Sequence, residues 1–118
     1  MAVVLVVDDD FDTRESIVDL LLDNGIEAVS AKDGRDGLLE LRMRSDVGLI
    51  LLDLSMPMMD GRLFRATQLA DPELAAIPVA ILSGDDDAKT VAEEMKAAFM
   101  FAKPFQPDAL IGALRSLH

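Results

Sequence analysis

The chain has no cysteine, no tryptophan and no tyrosine, and its single histidine is the last residue, His118. The missing thiols exclude disulfide frameworks, zinc-thiolate centres and cysteine nucleophiles together. Without tyrosine or tryptophan there is little from which to build a base-stacking platform. Positive charge is also scarce: 11 basic side chains stand against 22 acidic ones, a net charge of −11. So acidic a surface repels a phosphate backbone, and nucleic acid is not expected as a direct ligand. Long hydrophobic runs are absent as well. AVVLVV near the start is far too short to cross a bilayer, and acidic residues follow it where a signal peptide has a different pattern. A soluble, cytoplasmic protein without membrane insertion is expected. The 118 residues fit one domain over 1–118, and with 51% of them hydrophobic a core can form without covalent staples.

What the chain does contain is four short apolar runs that each end in a polar residue. AVVLVV runs into Asp8-Asp9, GLILL into Asp53, VAIL into Ser83 and FMFA into Lys103. The runs at 2–7, 48–52 and 79–82 are continuously apolar, as strands buried on both faces are. EAVSA at 27–31 carries polar residues and suits an edge strand. Helical patterns lie between. Ile17, Leu20, Leu21 and Asn24 share one face and Gly25 ends it; further helices are predicted over 35–44, about 60–70 and 86–96. A last one starts near Asp108, read as its N-cap after Pro107, with Leu110, Ala113, Leu114 and Leu117 on one face.

Strict alternation predicts a (βα)5 three-layer α/β sandwich around a parallel sheet, with right-handed crossovers. The most buried strands are expected to be the first, third and fourth, matching the flavodoxin-like order 2-1-3-4-5. Ligands of such sheets bind at the carboxyl edge, beside the switch point between strands one and three, where Asp8, Asp9 and Asp53 would lie. Crowded carboxylates repel unless something compensates, and a hard divalent cation such as Mg2+ is the simplest compensation. One aspartate could then attack phosphorus to give an aspartyl phosphate, with a hydroxyl (Ser83) and an ammonium (Lys103) balancing charge on the phosphoryl oxygens.

VVDDD at 6–10, LLDLSMPMMDG at 51–61, ILSG at 81–84 and AKPF at 102–105 together resemble the bacterial response-regulator receiver family. The resemblance runs through essentially the whole chain in order and spacing. It implies Asp53 as phosphoacceptor, loaded from a sensor histidine kinase or a histidine phosphotransfer protein. It implies Mg2+ held by Asp9, Asp53 and the backbone carbonyl of Ser55, with Asp8 assisting through water. Ser83 and Lys103 would contact the phosphate, and a cis bond is expected at Lys103-Pro104. The switched surface would act on a downstream protein target or on an output domain outside this chain. Four departures stand out, one of them Ser83 in place of the commoner threonine, which keeps the hydroxyl and loses a methyl. Met100 replaces the usual aromatic switch residue, with Phe99 or Phe101 as candidate partial substitutes; Lys96 stands where a glycine usually precedes the fifth strand; and the stretch between Ser83 and Lys103 is about two residues short.

Other readings compete with this one. A haloacid-dehalogenase-type phosphatase also uses an aspartate nucleophile, a lysine and Mg2+. Its aspartate pair, spaced by one residue, needs Thr or Val two positions on, and Asp12 or Arg14 stands there instead. Asp8, Asp10, Asp12 and Asp19 mimic a calcium loop, but its sixth position is Thr13 and not glycine. A degenerate receiver acting as a phosphorylation-independent adaptor is the remaining alternative, and it rests on Met100 and the short stretch before Lys103. The expectation is therefore a phosphoacceptor signalling domain, not an enzyme with turnover. Asp85-Asp86-Asp87 reads as solvated surface and His118 as a tail residue.

Overall fold

A computed structural model describes residues 3–53, 58–83, 92–102 and 106–116, without the side chains of 58–62 and Ala102. Five strands form one parallel sheet in the order β2-β1-β3-β4-β5: β1 (Val3–Val7), β2 (Ala28–Ala31), β3 (Val47–Asp53), β4 (Val79–Ser83) and β5 (Phe99–Ala102). The predicted order is the observed one. The strands with unbroken apolar runs are the central ones because both their faces are covered, and every residue of β1 and β4 is buried. The more polar β2 is an edge, as its composition predicts.

Alternation along the strands divides the core in two. Leu5, Val7, Ile50, Leu52, Val79 and Ile81 face one layer with Leu41 and Phe64. These last two come from α2 (Gly34–Met43) and α3 (Met58–Ala70). Val4, Val6, Leu49, Leu51, Ala80 and Leu82 face the other, against α1 (Phe11–Asp23) and α4 (Pro107–Arg115). Ile17 and Leu21 bury the predicted face of α1. Asn24 caps it, and Gly25 turns the chain at φ +76°, a conformation open to glycine at little cost. Asp33 caps α2 by accepting from the Asp36 amide at 2.8 Å.

One helix start differs from expectation. Asp108 is not the N-cap of α4: Gln106 occupies that position, without a side-chain bond, and Pro107 is the first helical residue. Proline's fixed φ and missing N–H suit the first turn, which leaves Asp108 inside the helix as a first-turn acid favoured by the dipole. The helix expected over 86–96 lies mostly outside the described residues; its end, 92–94, is helical. Among the described residues no helix is long and apolar enough to cross a membrane.

Register is what positions the site. Val3 pairs with Val47 but Val4 pairs with Leu49, so β3 gains one residue at Gly48. Beyond this shift Val7 lies opposite Leu52, and the next positions, Asp8 and Asp53, come side by side. Without the shift Asp8 would meet Leu52, whose side chain belongs to the other face.

Candidate functional site

The carboxyl edge collects the described candidates as the sequence predicts. Asp53 ends β3 opposite Leu82, Ser83 follows on β4 opposite Ala102, and Lys103 is next in sequence after Ala102. Asp8, Asp53 and Ser83 are 0%, 1% and 2% exposed, although each is polar. Buried carboxylates side by side carry a desolvation and repulsion penalty that needs compensation, which is the signature of a built site. Asp8 and Asp53 continue the face of Val6 and Leu51, while Ser83 continues that of Ile81.

The backbone holds Asp8 closely. Its amide donates to the Ala31 carbonyl at 3.1 Å, and its Oδ1 accepts from the Asp10 amide at 2.9 Å. Asp9 is exposed beside it. The third acid of the run serves the helix that follows. Asp10 is the N-cap of α1, and its Oδ2 accepts from the Thr13 amide at 3.3 Å and from the Thr13 hydroxyl. Capping thus explains an acidic residue beyond the predicted pair. Arg14, which no motif marked, donates from Nη1 to the Asp8 carbonyl at 2.9 Å and lies 5.4 Å from the centre of the Phe11 ring. The carbonyl of Asp8 is thereby fixed from α1.

Ser55, Lys103 and the Lys103-Pro104 bond lie outside the described residues, as do Asp85-Asp86-Asp87 and His118. Met100 lies opposite Ile81 and is partly exposed, whereas Phe99 and Phe101 turn to the face packed by α1 and α4, their rings 6.2 Å apart. Alternation therefore prevents either phenylalanine from standing in on the Met100 side. A groove of about 640 Å³ lined by Leu41, Arg42, Arg44, Asp71 and Glu73 lies at the opposite, amino edge of the sheet, away from this chemistry.

Carboxylate oxygens are the donors that a hard cation takes, and Mg2+ needs only one or two carboxylates because it keeps several waters. Asp8 and Asp53, buried side by side, offer carboxylate donors of that kind, and Asp9 is exposed next in sequence. Among the described residues no group of three or more acidic, histidine or cysteine side chains is placed to hold a metal ion, so these carboxylates alone do not make a complete site.

Comparison with known proteins gives the class. The chain belongs to the response regulator receiver domain family, whose profile matches residues 4–115. It is similar to the probable transcriptional regulator ycf27 of Cyanophora paradoxa, 33% identical over 116 residues that make up 97% of this chain and 47% of that protein. The chain spans half or less of the curated relatives it matches first. Its fold is similar to chemotaxis protein CheY4 of Vibrio cholerae, with a TM-score of 0.88 and 28% identity, covering 100% of this chain and 99% of that one. It also resembles the response regulator TrrA of Thermotoga maritima, solved in complex with Mg2+-BeF. There the TM-score is 0.85 at 23% identity, both chains fully covered, and the likeness concerns the fold alone. Receiver domains are signalling domains of two-component systems that work with histidine kinases and output domains.

Proposed function

We propose that the chain accepts a phosphoryl group on Asp53 from a phosphohistidine of a sensor kinase or phosphotransfer protein, and that the modification switches a protein-interaction surface. The observation that carries this reading is the buried Asp8–Asp53–Ser83 edge set up by the strand register. A carboxylate oxygen of Asp53 attacks phosphorus, the N–P bond to the imidazole breaks, and its electron pair stays on the ring nitrogen. Asp8, Asp9, Asp53 and the carbonyl of Ser55 would hold Mg2+, which supplies positive charge for the phosphoryl oxygens. The Ser83 hydroxyl donates to one such oxygen, and Lys103 is assigned the balancing charge on the β5 side. The domain is assigned to residues 1–118 and to the cytoplasm. Its target is a separate protein or an output domain outside this chain.

Incubation with Mg2+ and a small phosphodonor, followed by intact mass, tests the reading. One phosphoryl group should appear, vanish on omission of Mg2+, and be absent from Asp53→Asn. Failure of the native chain to take any phosphoryl group would overturn it and favour the adaptor reading.

A further inference from the structure

Helix α3 buries the wrong residues for an amphipathic helix. Leu63 is 65% exposed, while Arg65 is 6% exposed and Gln68 not at all. Arginine is almost never fully buried without partners, so the acceptors of this guanidinium indicate what it is for. Nε donates to the Met95 carbonyl at 2.8 Å, Nη2 to the Lys96 carbonyl at 3.1 Å, and Nη1 to Gln68 Oε1 at 2.7 Å. Gln68 in turn donates to the carbonyls of Leu74 and Ile77.

The two carbonyls that Arg65 reaches belong to a strained turn. The Ala97 amide donates to Ala92 and the Lys96 amide to Glu93, the pair of bonds that closes a helix through a left-handed residue. That residue is usually glycine; here it is Lys96, at φ +55°. A lysine persists in this conformation only where its surroundings hold it. Arg65 supplies that hold from outside, with two charge-assisted bonds to adjacent carbonyls. The next amide, Ala98, donates to Val79 at 2.8 Å and opens the β4–β5 ladder. β5 is an edge strand of four residues, so its start has a single neighbouring strand to fix it.

We infer that Arg65 is a positioning residue for the phosphoacceptor site: by clamping the Met95–Lys96 turn it fixes where β5 begins, and hence what reaches the carboxyl edge after Ala102. The clamp links two limbs of the site. α3 follows the segment after Asp53, and the clamped turn feeds the strand that precedes Lys103 in sequence. The inference rests on the phosphoacceptor reading for its effect on rate, and on geometry alone for its effect on β5.

Three variants separate positioning from plain stability. Arg65→Met keeps most of the volume and removes every donor, Arg65→Lys keeps the charge and part of the donor set, and Val47→Ala trims a buried residue at the far end of β3. Each is assayed at a temperature where circular dichroism shows it folded. Readouts are the rate of phosphoryl loading from acetyl phosphate at saturating Mg2+ and amide hydrogen exchange over 97–102. Arg65→Met is expected to load roughly tenfold more slowly, since small misplacements of catalytic groups have effects of this size or larger. Its β5 amides should exchange faster, Arg65→Lys should recover part of both, and Val47→Ala should load at the native rate. Native loading in Arg65→Met, or an equal slowing in Val47→Ala, overturns the inference. If the native chain takes no phosphoryl group, the phosphoacceptor reading falls separately and exchange decides: unchanged protection in Arg65→Met overturns the clamp, and faster exchange supports it.

Discussion

At Gly37, a Cβ would come within 2.9 Å of Phe64 Cε2 and 3.1 Å of Val7 Cγ2, so α2 approaches the sheet and α3 too closely for a side chain. Gly112 on α4 has nothing within 4 Å of the same position. Both lie inside helices, where alanine gains about 1 kcal/mol over glycine. Gly112→Ala should therefore stabilise by up to about 1 kcal/mol. Gly37→Ala should destabilise, because overpacking a filled site costs about 1–3 kcal/mol and exceeds the helical gain. Urea denaturation followed by far-ultraviolet circular dichroism measures both, since the chain lacks tryptophan and tyrosine for fluorescence. Equal effects from the two substitutions would show that close packing at Gly37 does not decide its identity.

At the scale of elements, strand order and the burial of β1, β3 and β4 could be read directly, because doubly covered strands need continuous apolar runs and α/β alternation leaves few topologies. Asp53 and Ser83 were legible for the same reason, as polar residues ending such runs. The one-residue shift at Gly48 was not legible, since nothing local distinguishes a strand glycine that shifts register from one that does not. Arg65 and Gln68 were hidden too: charged and amide residues on a helix normally read as solvated, and their acceptors lie up to 31 residues away. The available signal was the misfit of Phe64, Arg65 and Gln68 on one face while Leu63 and Leu69 fall outside it. Lys96 carried a better signal, standing where family resemblance expects glycine. A left-handed non-glycine residue costs about 1–2 kcal/mol, and part of the gain from Lys96→Gly is returned through the greater freedom of the unfolded chain. Lys96→Gly should thus raise stability by about 1 kcal/mol. Thermal unfolding of the two proteins checks this; a lower midpoint for the glycine variant would mean that the Lys96 side chain itself contributes more than its backbone strain costs.

For the whole molecule, a net charge of −11 means that a simple salt such as NaCl stabilises the native state by screening self-repulsion. A Mg2+ effect is informative only above that background. Binding to the folded state alone adds RT ln(1 + [Mg2+]/Kd), about 2.7 kcal/mol at a hundredfold excess over Kd. In a domain of this size that is roughly a 10 °C rise in midpoint. At constant ionic strength, replacing NaCl by MgCl2 should therefore raise the midpoint of the native chain well beyond the effect of NaCl. Asp9→Asn is the sharpest control, because Asp9 is exposed and its substitution leaves the core intact, yet it replaces one proposed carboxylate ligand by a neutral, weaker amide. It should lose most of the Mg2+-specific rise while keeping the screening response, since it changes the net charge by only one unit. If Mg2+ and Na+ act alike at matched ionic strength, the acidic edge is only part of a diffuse surface charge. If Mg2+ is distinguished and Asp9→Asn abolishes the distinction, the ion is held where the four apolar runs end.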